Sequence, residues 1–152
     1  YLREKEPLGT AGAIGLLDRG KIDKPLIVMN GDLLTRLNFG RLADYHDDHA
    51  GSATICVREY GFQIPFGVVH GENNQLTEII EKPVHTVFVN AGIYILDPEL
   101  LSLCAEGKPL DMPHLLKRAV ADGEEIRMFP IHEHWLDIGR MEEYELAQNI
   151  SA

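Results

Sequence analysis

Two aspartates, Asp32 and Asp137, are the residues whose type and placement could do chemistry. Asp32 closes Asn30-Gly31-Asp32 directly after the apolar run Leu26-Ile27-Val28-Met29, so a carboxylate stands at the C-terminal end of a predicted strand. Asp137 repeats the arrangement: in His134-Trp135-Leu136-Asp137-Ile138-Gly139-Arg140 a short apolar strand runs out into Asp, Gly and a helix start. Ligand crevices in open α/β sheets lie outside the carboxyl ends of the strands. If both strands belong to one sheet, the two carboxylates can converge on one divalent cation. Oxygen-only ligation with positions left for substrate phosphates suits Mg²⁺. Each aspartate also has an ordinary reading, since Gly-Asp is common turn chemistry and Asp137 can cap the helix that follows it.

The elements that would position these carboxylates follow from periodicity and punctuation. Thr10 is expected to cap a short helix over residues 11–17 that ends near Gly20, and Pro25 opens the strand to Met29. A helix follows Asp32, with Phe39, Leu42, Ala43 and His46 on its apolar stripe, and then a β-branched strand over residues 53–57. This is the β-α-β alternation of a wound sheet. Residues 66–70 and 75–80 flank the turn-rich Gly71-Glu72-Asn73-Asn74 as an antiparallel hairpin, which makes the sheet mixed. In the strand over residues 87–96, Val87, Val89, Ala91, Ile93 and Ile95 form a core face. Phe88, Asn90, Gly92 and Tyr94 form a face that could line a cleft. A helix with Asp111 as N-cap, a stripe of Met112, Leu115, Leu116, Ala119 and Val120, and Gly123 as its stop precedes a strand over residues 125–131. A final helix is expected over residues 140–149.

Charge narrows the function classes. With 14 basic against 24 acidic residues and a net charge of −10, the chain has no Lys/Arg-rich run, so the basic face that grips a nucleic-acid backbone is missing. So acidic a chain needs a cation or a few placed basic side chains to hold an anionic ligand. At 152 residues and 45% hydrophobic, it can bury one core and reads as a single domain over residues 1–152. Cys56 and Cys104 lie in apolar stretches without metal or redox spacing, as expected of buried hydrophobes in a reducing compartment, the cytoplasm by default. No run approaches transmembrane length. The histidines of His46-Asp47-Asp48-His49 and His132-Glu133-His134 are read as a solvated helix face and a strand pair without a third ligand, not as metal sites.

Six motifs in order give a resemblance that covers nearly the whole chain. Leu8-Gly9-Thr10-Ala11, Asn30-Gly31-Asp32, Pro65-Phe66-Gly67-Val68-Val69, Glu81-Lys82-Pro83, Asn90-Ala91-Gly92-Ile93-Tyr94 and Trp135-Leu136-Asp137-Ile138-Gly139 resemble the sugar-1-phosphate nucleotidyltransferases. The resemblance implies a Rossmann-like α/β/α sandwich with a mixed, mostly parallel sheet. It implies a reaction joining a nucleoside triphosphate to a sugar 1-phosphate with release of pyrophosphate. Val57-Arg58-Glu59-Tyr60, Gln63-Ile64-Pro65 and His132-Glu133-His134-Trp135 are most similar to the branch that carries regulatory CBS domains, whose members are often described as guanylyltransferases for mannose or hexosamine phosphates.

Carried over residue by residue, the resemblance places Leu8, Gly9 and Thr10 beside the nucleobase, and Asp32 and Asp137 on Mg²⁺. Gly67, Glu81, Asn90 and Gly92 would surround the sugar, with Lys82 facing its phosphate. The family's glycine-rich phosphate loop with its Arg and Lys is not found in this chain, which begins at Tyr1 and so reads as the C-terminal part of a catalytic domain. Such a fragment is expected to be inactive alone, and to self-associate through sheet surface left uncovered, as a homo-oligomer. The rival reading is a non-catalytic module of the same fold that holds a sugar nucleotide or a partner subunit. A Rossmann-type phosphatase or kinase would need an Asp-x-Asp motif or a P-loop, and the sequence has neither.

Overall fold

Burial of both faces of one strand organises the molecule, whose computed structural model describes residues 2–139. The helix expected over residues 140–149 lies outside them. In chain order the elements are α1 (Gly9–Gly12) with a 3₁₀ continuation (Ala13–Leu16), β1 (Leu26–Met29), β2 (Leu33–Thr35), α2 (Phe39–Asp48) and β3 (Ala53–Gln63). There follow β4 (Gly67–Glu72), β5 (Gln75–Glu81), β6 (Val84–Leu96), a 3₁₀ segment (Pro98–Leu103), α3 (Met112–Ala121), β7 (Ile126–Pro130) and β8 (Trp135–Asp137).

The main sheet has the order β1-β6-β3-β7. β6 runs antiparallel to both β1 and β3, while β3 and β7 are parallel, so β1, β3 and β7 point one way and β6 opposes them. Alternation along β6 sends Ala91, Ile93 and Ile95 into a cluster with Leu37, Leu42, Cys56 and Ile131. Tyr94 and Leu96 enter a second cluster with Ala11, Leu100, Leu101, Met112, Leu115 and Ala119. Residues one apart on a strand face opposite ways, so α2 covers one side of the sheet and α1, α3 and the 3₁₀ segment the other. This is the expected α/β class with a mixed sheet and helices on both faces.

Several local expectations are corrected. The β6 face bearing Tyr94 is core, with Tyr94 only 2% exposed, because helices cover both sides; Val87 lies beyond them and is 47% exposed. Val120 is likewise exposed, on the outer side of α3. The hairpin β4–β5 forms a two-stranded sheet of its own, so the mixed character comes from β6. Thr10 does not cap the first helix, which starts at Gly9 after Leu8. Its hydroxyl accepts the Met112 N–H (2.8 Å) at the start of α3, and its own N–H donates to Asp111 Oδ1 (3.2 Å). Asp111 occupies the α3 N-cap position, yet its carboxylate serves Thr10 and makes no bond within its own helix. The two chain segments cap each other.

His46 sits on the buried stripe of α2 with both ring nitrogens engaged, Nδ1 with Thr54 Oγ1 (2.8 Å) and Nε2 with Asp97 Oδ1 (3.1 Å). It is a satisfied core histidine. Among the described residues no group of three or more His, Cys, Asp or Glu side chains is placed to hold a metal.

Cys56 is fully buried, and burial, with a smaller contribution from Glu133, pushes its thiol up to about 12. The thiolate is the reactive species. At pH 8 Cys56 of the folded protein, read in a Cys104→Ala background, should therefore react with a disulfide reagent such as Ellman's roughly a thousandfold more slowly than a free cysteine, and recover the ordinary rate in denaturant. The unfolded thiol ionises first, so this group's contribution to stability is lost as pH rises from its ordinary range towards 12. Rapid titration of Cys56 in the native state would contradict the burial.

Candidate functional site

The candidate site is built where β1 and β8 end. The ladder between β1 and β6 runs to Met29 opposite Ile93 and continues one step further, with Asn30 N–H donating to the Gly92 carbonyl (2.9 Å). The chain then turns through Gly31 and Asp32 into β2, which pairs antiparallel with β8 and sets Leu33 opposite Asp137. Thr35 locks this ribbon: its hydroxyl donates to the His134 carbonyl (3.1 Å) and accepts the Leu37 N–H (3.1 Å). Strand β2 is too short for its alternation to be read in advance.

The pairing brings the two aspartates together. Ile138 N–H donates to the Asp32 carbonyl (2.9 Å), and Gly139 N–H donates to Asp137 Oδ1 (3.1 Å). A methyl group at Gly139 would lie 2.9 Å from Asp32 Oδ2 and 3.1 Å from Asp137 Oδ1, so one carboxylate oxygen of each points at the same small volume. Two convergent carboxylates are the donors Mg²⁺ takes. Asp32 also lines an open cleft of about 460 Å³ with Thr10, Met29, Asn30 and Gly31.

The other predicted residues fall into three further groups. Leu8 is buried, and Gly9 has φ +77° with the Leu110 carbonyl 2.9 Å from where a Cβ would stand. Gly9 thus meets a packing demand whatever else it does, and it delivers Thr10 to the cleft. In the hairpin, Gly67 faces Glu81 across the strands, with Glu81 Oε2 3.0 Å from a notional Gly67 Cβ. Lys82 follows in a left-handed conformation, φ +46°, uncommon for a residue with a side chain. Its backbone is held on both sides, the N–H by the Phe66 carbonyl (3.3 Å) and the carbonyl by Gln63 Nε2 (3.1 Å).

Asn90 and Gly92 belong to a bulge in β6. Ile55 faces Tyr94 and Val57 faces Asn90, so Ala91, Gly92 and Ile93 together stand opposite the single residue Cys56. Asn90 uses both ends of its amide locally, Oδ1 accepting the Gly92 N–H (3.0 Å) and Nδ2 donating to Tyr94 Oη (2.6 Å). Burial pushes the Tyr94 phenol up, and this bond draws it partly back. Asn90 lines a cavity against α3 with Pro113 and Leu116, and neither it nor Lys82 is among the residues lining the Thr10–Asp32 cleft. Gly92, at φ +71°, leaves room for Asn30, whose Nδ2 is 2.8 Å from a notional Cβ. The glycine admits another part of the site's own loop.

Two contributors escape a reading by residue type. Trp135 donates its indole N–H to the Ala91 carbonyl (2.8 Å), and Arg58 Nη1 donates to the Glu133 carbonyl (2.9 Å) at the entry to β8. Nothing in their spacing announces either bond. Glu133 itself is held below the usual carboxylate range, first by its own backbone N–H and then by that of His132 and by the charge of Arg41.

Comparison with known proteins decides the family. The Nucleotidyl transferase family model matches residues 1–151. The chain belongs to this family. Mannose-1-phosphate guanyltransferases are among its similar relatives: that of Debaryomyces hansenii is 34% identical over 148 residues, covering 93% of this chain and 41% of the relative. That of Aspergillus fumigatus is also 34% identical, over 93% of this chain and 40% of its own length. The chain thus spans about two-fifths of the curated relatives it matches. Among solved structures, HddC from Yersinia pseudotuberculosis complexed with GMP-PN superposes with a TM-score of 0.70 at 23% identity, covering 99% of this chain and 66% of that one. A putative glucose-1-phosphate thymidylyltransferase from Bacillus anthracis gives 0.68 at 20%, covering 99% and 63%. At such identities the likeness is one of fold, and it places this nucleotidyl transferase chain among proteins with the expected architecture.

Proposed function

We propose that the full-length protein joins GTP to a mannose- or hexosamine-type sugar 1-phosphate, giving a nucleoside-diphosphate sugar and pyrophosphate. The observation that carries the reading is the convergence of the Asp32 and Asp137 carboxylates on one volume beside the Thr10 cleft. The guanyltransferase relatives support the choice of base and sugar. A module that only holds a sugar nucleotide has no need of two carboxylates facing a polyphosphate, so the catalytic reading is preferred to the binding one.

A sugar phosphate is already ionised near neutral pH and serves as its own nucleophile. One of its oxygens bonds to the α-phosphorus of the triphosphate, the bond from that phosphorus to the bridging oxygen breaks, and pyrophosphate leaves with the electron pair. No general base is required, and the protein's task is alignment and charge. Asp32 and Asp137 would hold Mg²⁺, which when bound neutralises developing phosphate charge. Thr10, with Leu8 and Gly9 behind it, borders the nucleotide end. The family resemblance gives Gly67, Glu81, Asn90 and Gly92 to the sugar and Lys82, a compact point charge, to its phosphate; within the 152 residues Asn90 and Lys82 stand outside the Thr10–Asp32 cleft, and Asn90 spends its amide inside β6. The fixed backbone at Lys82 suits that role, since strained conformations cluster where side chains must be aimed.

The 152 residues contain no Gly-x-Gly-Thr-Arg stretch to grip the triphosphate, so they hold the carboxylate side of the site and turn over no substrate alone. Two buried free thiols fit a reducing compartment such as the cytoplasm. Among the described residues no helix is long and apolar enough to cross a membrane. Pyrophosphate release by the full-length protein, with each triphosphate against a panel of sugar 1-phosphates, tests the reading. Release is expected with GTP and a mannose- or hexosamine-type phosphate; a clear preference for UTP, dTTP or CTP would overturn the base assignment, and release by residues 1–152 alone would overturn their inactivity.

A further inference from the structure

The bulge in β6 does more than bend a strand. Ala91, Gly92 and Ile93 stand opposite one residue of β3, so the pairing with β3 is interrupted at the bulge. Two consecutive carbonyls there are taken by the two segments that carry the aspartates. Gly92 receives the Asn30 N–H at 2.9 Å, and Ala91 receives the Trp135 indole N–H at 2.8 Å. Asn30 stands two residues before Asp32, and Trp135 two residues before Asp137. The same rigid feature is therefore tied to both carboxylates through equally short pieces of chain. It is also well anchored: Ala91 and Ile93 are fully buried, and the Gly92 N–H is held by Asn90.

The first of these bonds runs through the backbone N–H and any residue but proline could make it. The second depends on a side chain, and only tryptophan combines an apolar body with an N–H donor at that reach. The Trp135 ring packs against the cluster containing Leu42, Ile93 and Ile95, so it has little freedom to pivot, and β8 pairs with β2 through Thr35–Trp135 and Leu33–Asp137. We propose that Trp135 is a positioning residue for the metal-binding carboxylates: its N–H bond to Ala91 sets the height of β8 against the bulge and hence where Asp137 stands relative to Asp32. The inference rests on the reading of Asp32 and Asp137 as the Mg²⁺ pair.

Supporting bonds that orient metal ligands typically matter by about 10–100-fold in metal affinity. Removing this N–H should therefore weaken the cation without unfolding the chain. Trp135 can be exchanged at its own codon for β-(3-benzothienyl)alanine, in which sulfur replaces the N–H and the bicyclic shape is kept, and Trp135→Phe provides a genetic counterpart. The probe is Mn²⁺ alone, with free metal read by its electron paramagnetic resonance signal against the full-length protein, and thermal midpoints measured in parallel.

Wild-type protein is expected to bind Mn²⁺, and Asp137→Asn to lose most of that binding. Both Trp135 replacements should weaken binding about tenfold, with the benzothienyl protein keeping its thermal midpoint. Unchanged Mn²⁺ affinity in the benzothienyl protein, beside a clear loss in Asp137→Asn, would overturn the positioning role and leave the metal pair standing. Unchanged affinity in Asp137→Asn would overturn the metal pair and this inference with it. A lowered thermal midpoint with unchanged Mn²⁺ affinity would make Trp135 a packing residue only.

Discussion

Replacing Asp137 with Asn in the full-length protein is expected to lower the rate of pyrophosphate release by roughly 10²–10³-fold or more, the several kcal/mol of charge stabilisation associated with a correctly held cation. The substitution keeps size and shape and removes one negative charge. The Gly139 N–H that donates to Asp137 Oδ1 can still find an amide oxygen there, and Leu33–Asp137 pairing is a backbone matter, so the ribbon of β2 and β8 should persist. Asp32→Asn should behave alike, because its carbonyl, not its carboxylate, accepts the bond from Ile138. Far-ultraviolet circular dichroism and the thermal midpoint should stay near wild type while turnover collapses. A near-normal rate in Asp137→Asn would return that residue to the role of a turn or helix-capping aspartate. The two variants should also be strongly non-additive, since carboxylates serving one ion act as a unit.

That expectation started from two short motifs, and their convergence shows which parts of the fold a sequence discloses. Apolar runs that end in Asp are legible because strand and turn chemistry are local, so β1, α2, α3 and the hairpin lie close to where periodicity places them. What brings Asp32 to Asp137 is the pairing of β2 with β8, two strands of three residues each, too short to carry a pattern and joined by a contact across most of the chain. The same limit hides the bulge in β6. Its extra residues are visible only against the partner strand; along the sequence, a glycine within the strand at Gly92 fits a bulge and the close approach of a ligand equally well. Residue type also misleads where two segments serve each other. Thr10 and Asp111 are both good helix caps, yet they bind reciprocally, because the start of α3 lies against α1. Gly92 is the clearest case of a motif glycine with a structural cause: the space it leaves is filled by the Asn30 amide and by Leu33.

Gly139 offers a sharper test of the carboxylate pair than either aspartate, because it changes geometry without changing charge. A methyl group at this position would sit 2.9 Å from Asp32 Oδ2 and 3.1 Å from Asp137 Oδ1, inside the normal carbon–oxygen contact for both. The atoms it meets are the ends of two short side chains, one exposed and one half-buried, which can turn away more cheaply than backbone could. Gly139→Ala should therefore cost little stability, within about 0.5 kcal/mol as is usual for surface substitutions. Turning away is what the proposed chemistry cannot tolerate, because both oxygens would leave the volume they now share. A misplacement of about 1 Å at a reacting centre can cost on the order of 10²-fold in rate, so turnover should fall by that order while the thermal midpoint stays. The Mg²⁺ concentration needed for half-maximal rate should rise, since the remaining carboxylate geometry holds the ion less well. A Gly139→Ala protein that keeps both its rate and its Mg²⁺ requirement would mean that the two carboxylates do not work from this arrangement, even if each proves necessary alone.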